Sequence, residues 1–316
     1  MKQIGFDIGA RKIRLVTPDS AKSATFPAAA AIMKGGSEIV AYCDEALRAA
    51  SRMPGSVEIV YPFENAFSVT ADLLAGFLNY ILNHAASKRV KASIVAIAMS
   101  GDQTKENEQL CYDACSLIGA REVFMVDPTL AALYGSEISE DGDVMIVNAG
   151  ASVCDTAIYS NGELLSFRSI PTAGIAFDKI ISKYVSKKYC LGISDTTAEE
   201  IKLNIASFSL ADGDKTCRAV GVRRSLGVPR EFTLTSAELQ PAVASVFAEI
   251  TKEIADVIST NGISPSKIVL TGGTSAFRGI DRALEEVLGI ECVASSEGDR
   301  CVSNGLAKII SGNLFK

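Results

Sequence analysis

The spacing of apolar residues changes repeatedly along this chain between the period of a strand and the period of a helix. Short apolar runs such as residues 93–99 predict buried strands, and a wide helical stripe is formed by Leu73, Leu74, Phe77, Leu78, Ile81 and Leu82. The predicted strands lie at residues 3–17 (a hairpin), 25–33, 38–43, 93–99, 122–126, 144–148, 153–159, 163–167, 268–270 and near Cys292. The predicted helices lie at residues 44–50, 73–82, 104–119, 128–134, 177–185, 196–208, 236–260, 278–288 and after Ser303. Alternating strands and helices are typical of an α/β protein.

Two of the predicted strands run into the same kind of turn, Ile4-Gly-Phe-Asp-Ile-Gly-Ala10 and Met145-Ile-Val-Asn-Ala-Gly-Ala151. In each copy a polar residue stands two positions before a glycine, but it is Asp7 in the first and Asn148 in the second. An apolar strand that enters a small-residue turn is the sequence form of paired backbone loops that grip phosphates. Because the pattern restarts near residue 142, we interpret the chain as an internal repeat that forms two α/β lobes with a cleft between them.

Composition narrows the class of protein. The chain has 316 residues, is 48% hydrophobic and carries a net charge of −6, which indicates two domains with substantial cores and argues against a nucleic-acid partner. The first residues pass straight into a strand without a leader pattern, and no apolar run reaches the roughly 18 residues that span a bilayer, so we expect a cytoplasmic protein. The eight cysteines form no CxxC pair, which favours reduced core thiols over a zinc site.

Five motifs together indicate a family. In chain order they are Asp7-Ile-Gly, Asp127-Pro-Thr-Leu-Ala-Ala, Asn148-Ala-Gly, Thr197-Ala-Glu-Glu-Ile-Lys202 and Leu270-Thr-Gly-Gly-Thr-Ser-Ala-Phe-Arg-Gly-Ile-Asp281. Their order and spacing resemble those of the actin-like ATPases, and most closely the MreB/Mbl family of bacterial actins. The resemblance covers essentially the whole chain and is especially marked at residues 119–128 and 174–206. It implies binding of ATP or ADP with Mg²⁺, polymerisation, and hydrolysis by a water molecule that an acidic residue holds.

The resemblance also implies an actin-like (RNase H-like) duplicated core of two lobes, with four subdomains around a nucleotide cleft. The first core subdomain, IA, would comprise residues 1–30 and 67–141, with a small subdomain IB at 31–66. The second core subdomain, IIA, would comprise residues 142–175 and 249–316, with subdomain IIB at 176–248.

In the first hairpin the resemblance assigns the phosphate and metal side of the nucleotide site to residues 7–12. Asp7 would position Mg²⁺ through its water shell, for which a carboxylate is suited; alternatively, it only begins a tight turn. Gly9, followed by Ala10, would let the backbone approach the phosphates. Arg11 and Lys12 replace the small and amide residues usual in the family, and either add charge toward the phosphates or form a solvated hairpin.

Asp127 stands where the family has a water-orienting Glu before proline. It carries the same charge on a side chain one methylene shorter, and a displacement of about 1 Å in a positioning residue can lower a rate on the order of 10²-fold. By this resemblance, Asp127 would be the catalytic residue that positions the attacking water molecule. The alternative is that Asp127 caps the helix that Pro128 opens, and both roles are compatible.

The second hairpin departs further from the family pattern Asp-x-Gly-Gly-Gly-Thr-Thr. Asn148 lacks the negative charge that holds a hydrated Mg²⁺, although its carbonyl still accepts a hydrogen bond. Gly150 is retained, but Ala151 and Ser152 place side chains where the family has bare backbone, and a positive φ would be costly there. Val153 and Cys154 then remove two hydroxyl groups, so all these changes predict weaker handling of Mg²⁺ and of the γ-phosphate. Asp155 lies beyond the loop and is not taken as a substitute acid.

The residues on the nucleoside side of the site match the family pattern more closely than those of the second hairpin. Glu199 and Lys202 share one helical face and match the family's Ala-Glu-x-Ile-Lys motif, which reaches the ribose and adenine. The alternative for Glu199 is a capping box with Thr196. Gly272 and Gly273 would let the chain pass close to the base and ribose, with Thr274 in place of a third glycine.

We therefore predict an MreB-like protein that binds nucleotide, self-associates into protofilaments and contributes to cell shape, with weakened ATP hydrolysis. Membrane-associated morphogenesis proteins are candidate partners, and a peripheral position at the inner face of the membrane is an alternative to a wholly cytoplasmic one. Direct membrane insertion is not supported, because the loop at residues 83–91 is basic and small and is better explained as solvated. The alternative function is a degenerate actin-like scaffold that regulates a partner without turnover.

Overall fold

The protein is described by a computed structural model that covers residues 3–18, 23–64, 69–85, 94–101, 104–138, 142–208, 213–223 and 225–312. The chain forms two compact units, each of which is described by itself below. Unit 1 comprises Met1–Ile138 with Arg300–Lys316, and unit 2 comprises Ser139–Asp299. The basic residues of the predicted loop, Lys88, Arg89 and Lys91, lie outside the described residues.

Unit 1 alternates strands and helices as predicted, except that the strand predicted at residues 25–33 is divided in two and the strand Val57–Val60 was not predicted. Its strands are β1 (Gln3–Ile8), β2 (Lys12–Val16), β3 (Ala24–Pro27), β4 (Ala30–Met33), β5 (Ile39–Tyr42), β6 (Val57–Val60), β7 (Ile94–Met99) and β8 (Glu122–Met125). Its helices are α1 (Cys43–Arg52), α2 (Ala71–His84), α3 (Lys105–Leu117) and α4 (Pro128–Ser136), followed at the end of the chain by a further helix described below. Threonines cap two of these helices, since the Thr70 and Thr104 hydroxyls accept from backbone N–H groups of the first turns of α2 and α3.

Unit 2 also alternates strands and helices, and three of its strands, Leu191–Gly192, Thr216–Arg223 and Val228–Thr235, were not predicted. Its strands are β9 (Asp143–Ala149), β10 (Cys154–Ser160), β11 (Glu163–Ile170), β12 (Leu191–Gly192), β13 (Thr216–Arg223), β14 (Val228–Thr235), β15 (Lys267–Thr271) and β16 (Glu291–Ala294). Its helices are α5 (Gly174–Tyr189), α6 (Asp195–Ile205), α7 (Ser236–Asn261) and α8 (Ile280–Leu288). The long helix α7 begins with a capping box between Thr235 and Glu238 and ends at Gly262 with a left-handed φ of 64°.

The predicted duplication is visible in the sheet topology. Each unit contains a five-stranded sheet, with the order β3-β2-β1-β7-β8 in unit 1 and β11-β10-β9-β15-β16 in unit 2. In both sheets the first three strands of this order are antiparallel and the last two are added in parallel. Each unit also contains a three-stranded sheet, β5-β4-β6 in unit 1 and β12-β13-β14 in unit 2. The strands β1 and β9, which carry Asp7 and Asn148, therefore occupy the same central place in the two halves.

The last helix, α9 (Cys301–Ser311), belongs to unit 1 and corrects one part of the predicted division. Residues 249–316 were predicted to belong to the second core, but α9 packs on α4. Two glycines make this contact, since a Cβ at Gly135 would lie 1.8 Å from the Cys301 carbonyl oxygen and one at Gly305 would lie 1.7 Å from that of Ala131. Backbones this close leave no space for a side chain, so the pair fixes α9 to the first half. The other subdomain boundaries stay a prediction.

Each unit has its own apolar core. The unit 2 core includes a group of aromatic rings in which Phe177 meets Phe277 edge-on with the ring centroids 5.0 Å apart. Six cysteines lie buried, which confirms the prediction of core thiols for Cys43, Cys111, Cys115, Cys154, Cys292 and Cys301. Cys190 is exposed and Cys217 is half-buried, so that prediction was wrong for these two. Among the described residues, none of the helices combines the length and the apolar character needed to cross a bilayer.

Candidate functional site

The first hairpin turn is closed by its own backbone. The Gly9 N–H donates to the Lys12 carbonyl oxygen at 3.0 Å, and this bond links β1 to β2 across residues 9–12. A Cβ at Gly9 would lie 3.1 Å from the same oxygen, which is tighter than an ordinary contact. Ala10 is buried, so both small residues serve the compactness of the turn. The phosphate contact predicted for Gly9 and Ala10 stays a prediction.

Asp7 is held by an arginine on the neighbouring strand. Asp7 and Arg14 are directly opposite in the antiparallel pair β1–β2, and the Arg14 guanidinium donates to the Asp7 carboxylate at 3.2 Å. Both residues are buried, with 5% and 7% of their surface exposed. An ionised pair in such a place is stable only while both charges are present, because removal of one leaves the other uncompensated. Asp7 therefore has a charge partner of its own within the protein.

Arg11 is not part of a solvated hairpin, which was one of its two alternatives, and its contact with phosphates stays a prediction. Its guanidinium forms an ion pair with Glu64 at 2.7 Å and lies over the Tyr61 ring, 4.0 Å from the ring centroid. The side chain is thus engaged with the segment that follows β6 and is not solvated. Lys12, by contrast, is exposed at the start of β2. Of the two basic residues, only Lys12 lies on an open surface.

The second hairpin turn has the same closure as the first. The Gly150 N–H donates to the Val153 carbonyl oxygen at 2.9 Å, as Gly9 does to Lys12. The carbonyl groups of Gly150 and Ala151 also accept from the first two N–H groups of α5, at 3.2 and 2.7 Å. Neither Ala151 nor Ser152 has a positive φ, so the expected backbone strain at these positions was wrong. The turn instead anchors the start of α5.

A row of polar side chains crosses the unit 2 sheet beside this turn. It consists of Ser169, Asp155, Asn148 and Thr271, which lie on adjacent strands in register with one another. The Ser169 hydroxyl donates to Asp155 at 2.6 Å, and the Thr271 hydroxyl donates to the Asn148 side-chain oxygen at 3.2 Å. Asp155 is completely buried and lies directly opposite Asn148. Burial, with a smaller contribution from the Asp155 charge, raises the pKa of the adjacent Cys154 thiol.

Asp127 caps helix α4, as the alternative interpretation predicted. Its Oδ1 accepts from the Thr129 N–H at 2.7 Å, from the Thr129 hydroxyl at 2.6 Å and from the Leu130 N–H at 3.3 Å. Pro128 occupies the first turn, where its missing N–H costs nothing. No hydrogen bond reaches Oδ2 from any part of the chain that the structure describes, so this oxygen is available for a water molecule. The cap and a water-holding role are therefore compatible in geometry.

Comparison with known proteins identifies the family. The MreB/Mbl protein family model matches residues 1–314, that is, nearly the whole chain. The chain belongs to the MreB/Mbl family. It is 25% identical over 316 residues to the cell shape-determining protein Mbl of Bacillus subtilis (strain 168), covering 96% of this chain and 94% of Mbl. It is 27% identical over 295 residues to the cell shape-determining protein MreB of Escherichia coli (strain K12), covering 88% of this chain and 84% of MreB.

Solved structures show that the fold is actin-like, as predicted. A crystal structure of MreB5 of Spiroplasma citri bound to ADP has a TM-score of 0.89, with 22% identity, and covers 100% of this chain and 97% of the MreB5 chain. A crystal structure of the same protein bound to AMPPNP has a TM-score of 0.88, with 22% identity, and covers 99% of this chain and 96% of the other. The expected actin-like duplicated core is thereby confirmed for this MreB/Mbl member.

In unit 2 of this MreB/Mbl protein, Glu199 and Lys202 have different environments. Lys202 is buried, forms an ion pair with Asp178 on α5 at 2.8 Å and donates to the Gly174 carbonyl oxygen at 3.2 Å. It therefore joins α6 to α5. The half-buried Glu199 makes no hydrogen bond or ion pair with any other described residue. The capping box proposed for it was wrong, because Ser194 is the N-cap of α6 and accepts from the Thr197 N–H at 3.1 Å.

The glycine-rich turn after β15 also divides into parts with different roles. Gly272 has a φ of 82°, and a Cβ there would lie 2.3 Å from the Ala149 carbonyl oxygen, so only glycine fits this crossing of β9. Gly273 is exposed, and a Cβ there would meet nothing within 4 Å. The Thr274 hydroxyl donates to the Gly150 carbonyl oxygen at 3.0 Å, which ties this turn to the second hairpin. The base and ribose contacts predicted for Gly272, Gly273 and Thr274 stay a prediction.

Sequence reasoning missed the partners of three site residues: Arg14 for Asp7, Thr271 for Asn148 and Asp178 for Lys202. The first was within reach, because a four-residue turn at residues 9–12 fixes the register of the hairpin and places residue 14 opposite residue 7. The same register places Asp155 opposite Asn148. Thr271 and Asp178 come from distant segments, for which the sequence carries no comparable signal.

The residues of the hairpins do not fit a conventional Mg²⁺ site. Mg²⁺ is usually held through one or two carboxylates together with substrate phosphates. Here the first carboxylate, Asp7, is already paired with Arg14, and the corresponding position of the second hairpin holds the neutral Asn148. The described residues contain no group of three or more His, Cys, Asp or Glu side chains placed to hold a metal ion. The ion pair disfavours the metal-positioning role predicted for Asp7.

Proposed function

We propose that this MreB/Mbl protein binds an adenine nucleotide, assembles into protofilaments and contributes to cell shape. The observation that carries this proposal is the match of the MreB/Mbl family over residues 1–314. It is supported by the names of the relatives, which are cell shape-determining proteins, and by fold neighbours bound to ADP and AMPPNP. The nucleotide of this chain would accordingly be ATP or ADP, with Mg²⁺ weakly held.

Each unit has groups that suit contact with a nucleotide, on the hairpin turn of each unit and on the helix α6 of unit 2. In the first hairpin, Lys12 supplies an exposed positive charge and the turn contributes backbone N–H groups. In the second, the Ser152 hydroxyl makes no hydrogen bond to any residue that the structure describes and is available to a phosphate oxygen. The unpaired carboxylate of Glu199 suits the ribose hydroxyls, whereas Lys202 would act indirectly by holding α6 in place.

Hydrolysis would be slow for two reasons. The Asp127 side chain is one methylene shorter than the family's glutamate, and three hydrogen bonds to its own helix hold its Oδ1, so only Oδ2 can position a water molecule. Asn148 adds no negative charge to the second hairpin. Phosphate release should therefore be slow in the wild type and faster in Asp127→Glu. It should also be faster in the charge-exchanged variant Asn148→Asp/Asp155→Asn. Unchanged turnover in both variants would contradict these roles.

The assembly part of the proposal is tested with the purified full chain. Sedimentation and negative-stain electron microscopy with ATP, ADP or no nucleotide should show protofilaments that depend on nucleotide and on protein concentration. No polymer at high concentration in any nucleotide state would overturn this part. A fluorescent nucleotide titration should be run in parallel, because it separates loss of binding from loss of assembly.

A degenerate actin-like scaffold is the second candidate. It is favoured by the combined changes at Asp127 and Asn148, which leave little machinery for turnover. This alternative predicts partner binding without phosphate release, even in the variants above. For either function we propose a cytoplasmic protein that can lie peripherally at the inner face of the membrane. Membrane-associated morphogenesis proteins would be the partners, and pull-down from membrane and soluble fractions would test them.

A further inference from the structure

The two buried pairs that flank the hairpin turns are built at equivalent positions but carry different charges. In unit 1 the residue two positions before the turn glycine is Asp7, and its cross-strand partner is Arg14. In unit 2 the equivalent residues are Asn148 and Asp155. Directly opposite residues on an antiparallel pair project to the same face, with Cβ atoms about 4.5–5.5 Å apart. Each pair is therefore a local unit whose charges act together on whatever lies beside the turn.

A metal-dependent phosphate site has a simple electrostatic origin. A carboxylate beside the phosphates repels them unless a divalent cation stands between the two, so removing the cation weakens nucleotide binding. At Asp7 this role of the cation is already filled, because the Arg14 guanidinium is 3.2 Å from the carboxylate and both groups are buried. The pair has no net charge. It neither repels phosphates strongly nor leaves a free carboxylate charge to attract a hydrated cation.

The second hairpin does not restore the missing acid. Asn148 is neutral, and its side-chain oxygen accepts from Thr271. Asp155 is completely buried and accepts from Ser169, so it has no surface with which to meet a hydrated ion. A hydrated Mg²⁺ keeps several of its water molecules and requires accessible oxygen ligands. Neither hairpin offers such a ligand without breaking an existing pair.

We propose that the Asp7–Arg14 ion pair makes nucleotide binding by this chain independent of Mg²⁺. This inference rests on the nucleotide binding proposed above and specifies its chemistry. Arg14 acts as a positioning residue, because it neutralises Asp7 and need not touch the nucleotide. The substitution that removes its charge should convert the site into a metal-dependent one.

The experiment is a titration of the purified full chain with a fluorescent ADP analogue, in millimolar Mg²⁺ and in excess EDTA. ADP is used because its binding does not depend on hydrolysis. The wild type should show dissociation constants that differ by less than about threefold between the two conditions. A loss of affinity of about tenfold or more in EDTA would overturn the inference, while leaving the proposed nucleotide binding intact. No binding in either condition would overturn both.

Variants test whether Arg14 is the cause. Arg14→Leu removes the guanidinium that pairs with the Asp7 carboxylate, so chelation should weaken binding by about tenfold, equivalent to about 1.4 kcal/mol. Arg14→Lys keeps the charge and should bind equally with and without Mg²⁺. Asp7→Asn should bind more tightly than the wild type in both conditions, since the guanidinium charge is then no longer offset by the Asp7 carboxylate. If Arg14→Leu remains insensitive to EDTA, the ion pair is not responsible.

Folding of these variants is controlled by the charge-balanced double variant Asp7→Asn/Arg14→Leu. It contains no buried charge at this position and should remain folded, as judged by circular dichroism and urea unfolding. Its binding should also be insensitive to EDTA. A double variant that becomes dependent on Mg²⁺ would show that the metal acts elsewhere, and the inference would fail even if Arg14→Leu proved too unstable to measure.

Discussion

Restoring the acid of the second hairpin should destabilise this protein. Asn148→Asp is the direct way to recover the family's Asp-x-Gly pattern, and in isolation it is a nearly isosteric change. The structure, however, places Asp155 directly opposite Asn148 on β10. Both positions are buried, with 4% and 0% of the residue surface exposed. The substitution therefore puts two carboxyl groups face to face within the sheet.

The magnitude follows from the separation of the two side chains. Directly opposite residues have Cβ atoms about 4.5–5.5 Å apart, so the carboxylates would be roughly 5 Å apart. At an effective dielectric constant of about 20, two like charges at this distance repel by about 3 kcal/mol. The Thr271 hydroxyl can donate to a carboxylate as it does to the amide, so this hydrogen bond is retained. We expect the free energy of unfolding to fall by about 2–3 kcal/mol at pH 7.

The pH dependence has a definite sign. Repulsion raises the pKa of the introduced carboxyl group in the folded state above its unfolded value of about 3.9. The folded state then binds more protons than the unfolded state over the interval between these two values, so stability falls as the pH rises through it. The deficit should be absent below about pH 4 and fully present once the pH exceeds the raised pKa. Urea unfolding followed by circular dichroism between pH 4 and pH 8 measures it.

A double-mutant cycle isolates the interaction. Asp155→Asn alone keeps an acceptor for the Ser169 hydroxyl and removes the charge. The double variant Asn148→Asp/Asp155→Asn restores a single carboxylate to the pair, so its stability at pH 7 should approach that of the wild type. The coupling energy should be about 3 kcal/mol. If the free energy of unfolding of Asn148→Asp stays within about 0.5 kcal/mol of the wild type at every pH, the two facing carboxylates do not repel each other as expected.

Three further outcomes are expected. Gly305→Ala should lower the free energy of unfolding by more than about 3 kcal/mol in a urea titration, because its Cβ would overlap the backbone of the facing helix. Gly36→Ala, where the nearest atom is 3.6 Å from the new Cβ, is the matched control and should change it by less than about 0.5 kcal/mol. In the same titration, Lys202→Ala should lower the free energy of unfolding by about 3–5 kcal/mol, and the double variant Lys202→Met/Asp178→Leu should recover most of that loss. If the single and the double variant are equally stable, the two residues do not form a buried ion pair. Maleimide labelling of the native protein at pH 7–9 should modify the exposed Cys190 first, since burial raises the pKa of four core thiols to about 12. Equally rapid labelling of the Cys190→Ser variant would refute this.

Much of the fold could be predicted from the sequence because its strands and helices bury one face or all of their side chains. One of the strands that were missed, β13, does not follow this rule. In β13 the exposed face carries Val220 and Val222, at 52% and 44% exposure, while Ala219 and Gly221 point inward. Apolar residues thus lie on the outside and small ones on the inside, so the alternation of hydrophobic and polar positions that indicates a strand is lost. Such a strand is recognised only when the strands that pair with it are known.

The candidate site was predicted less completely, since a motif identifies residues but not their partners. Asp127 and Gly272 have geometries that follow from local rules, a helix cap and a left-handed glycine. Lys202 does not, because its environment is set by Asp178, which lies 24 residues earlier in the chain. Its match to the family motif suggested a ligand contact, whereas the buried ion pair gives it a structural task. Sequence distance between partners therefore limits what motif reasoning can predict.

The two hairpins have consequently diverged in ways that resist reversal by single substitutions. In the first, Asp7 is retained but its charge is compensated by Arg14, so removing Arg14 alone leaves a buried carboxylate. In the second, an acid at position 148 would face the buried Asp155. A substitution at Arg14 alone or at Asn148 alone is therefore expected to destabilise the chain. The charge partners Arg14 and Asp155 therefore decide which charge can be changed at each hairpin by a single substitution.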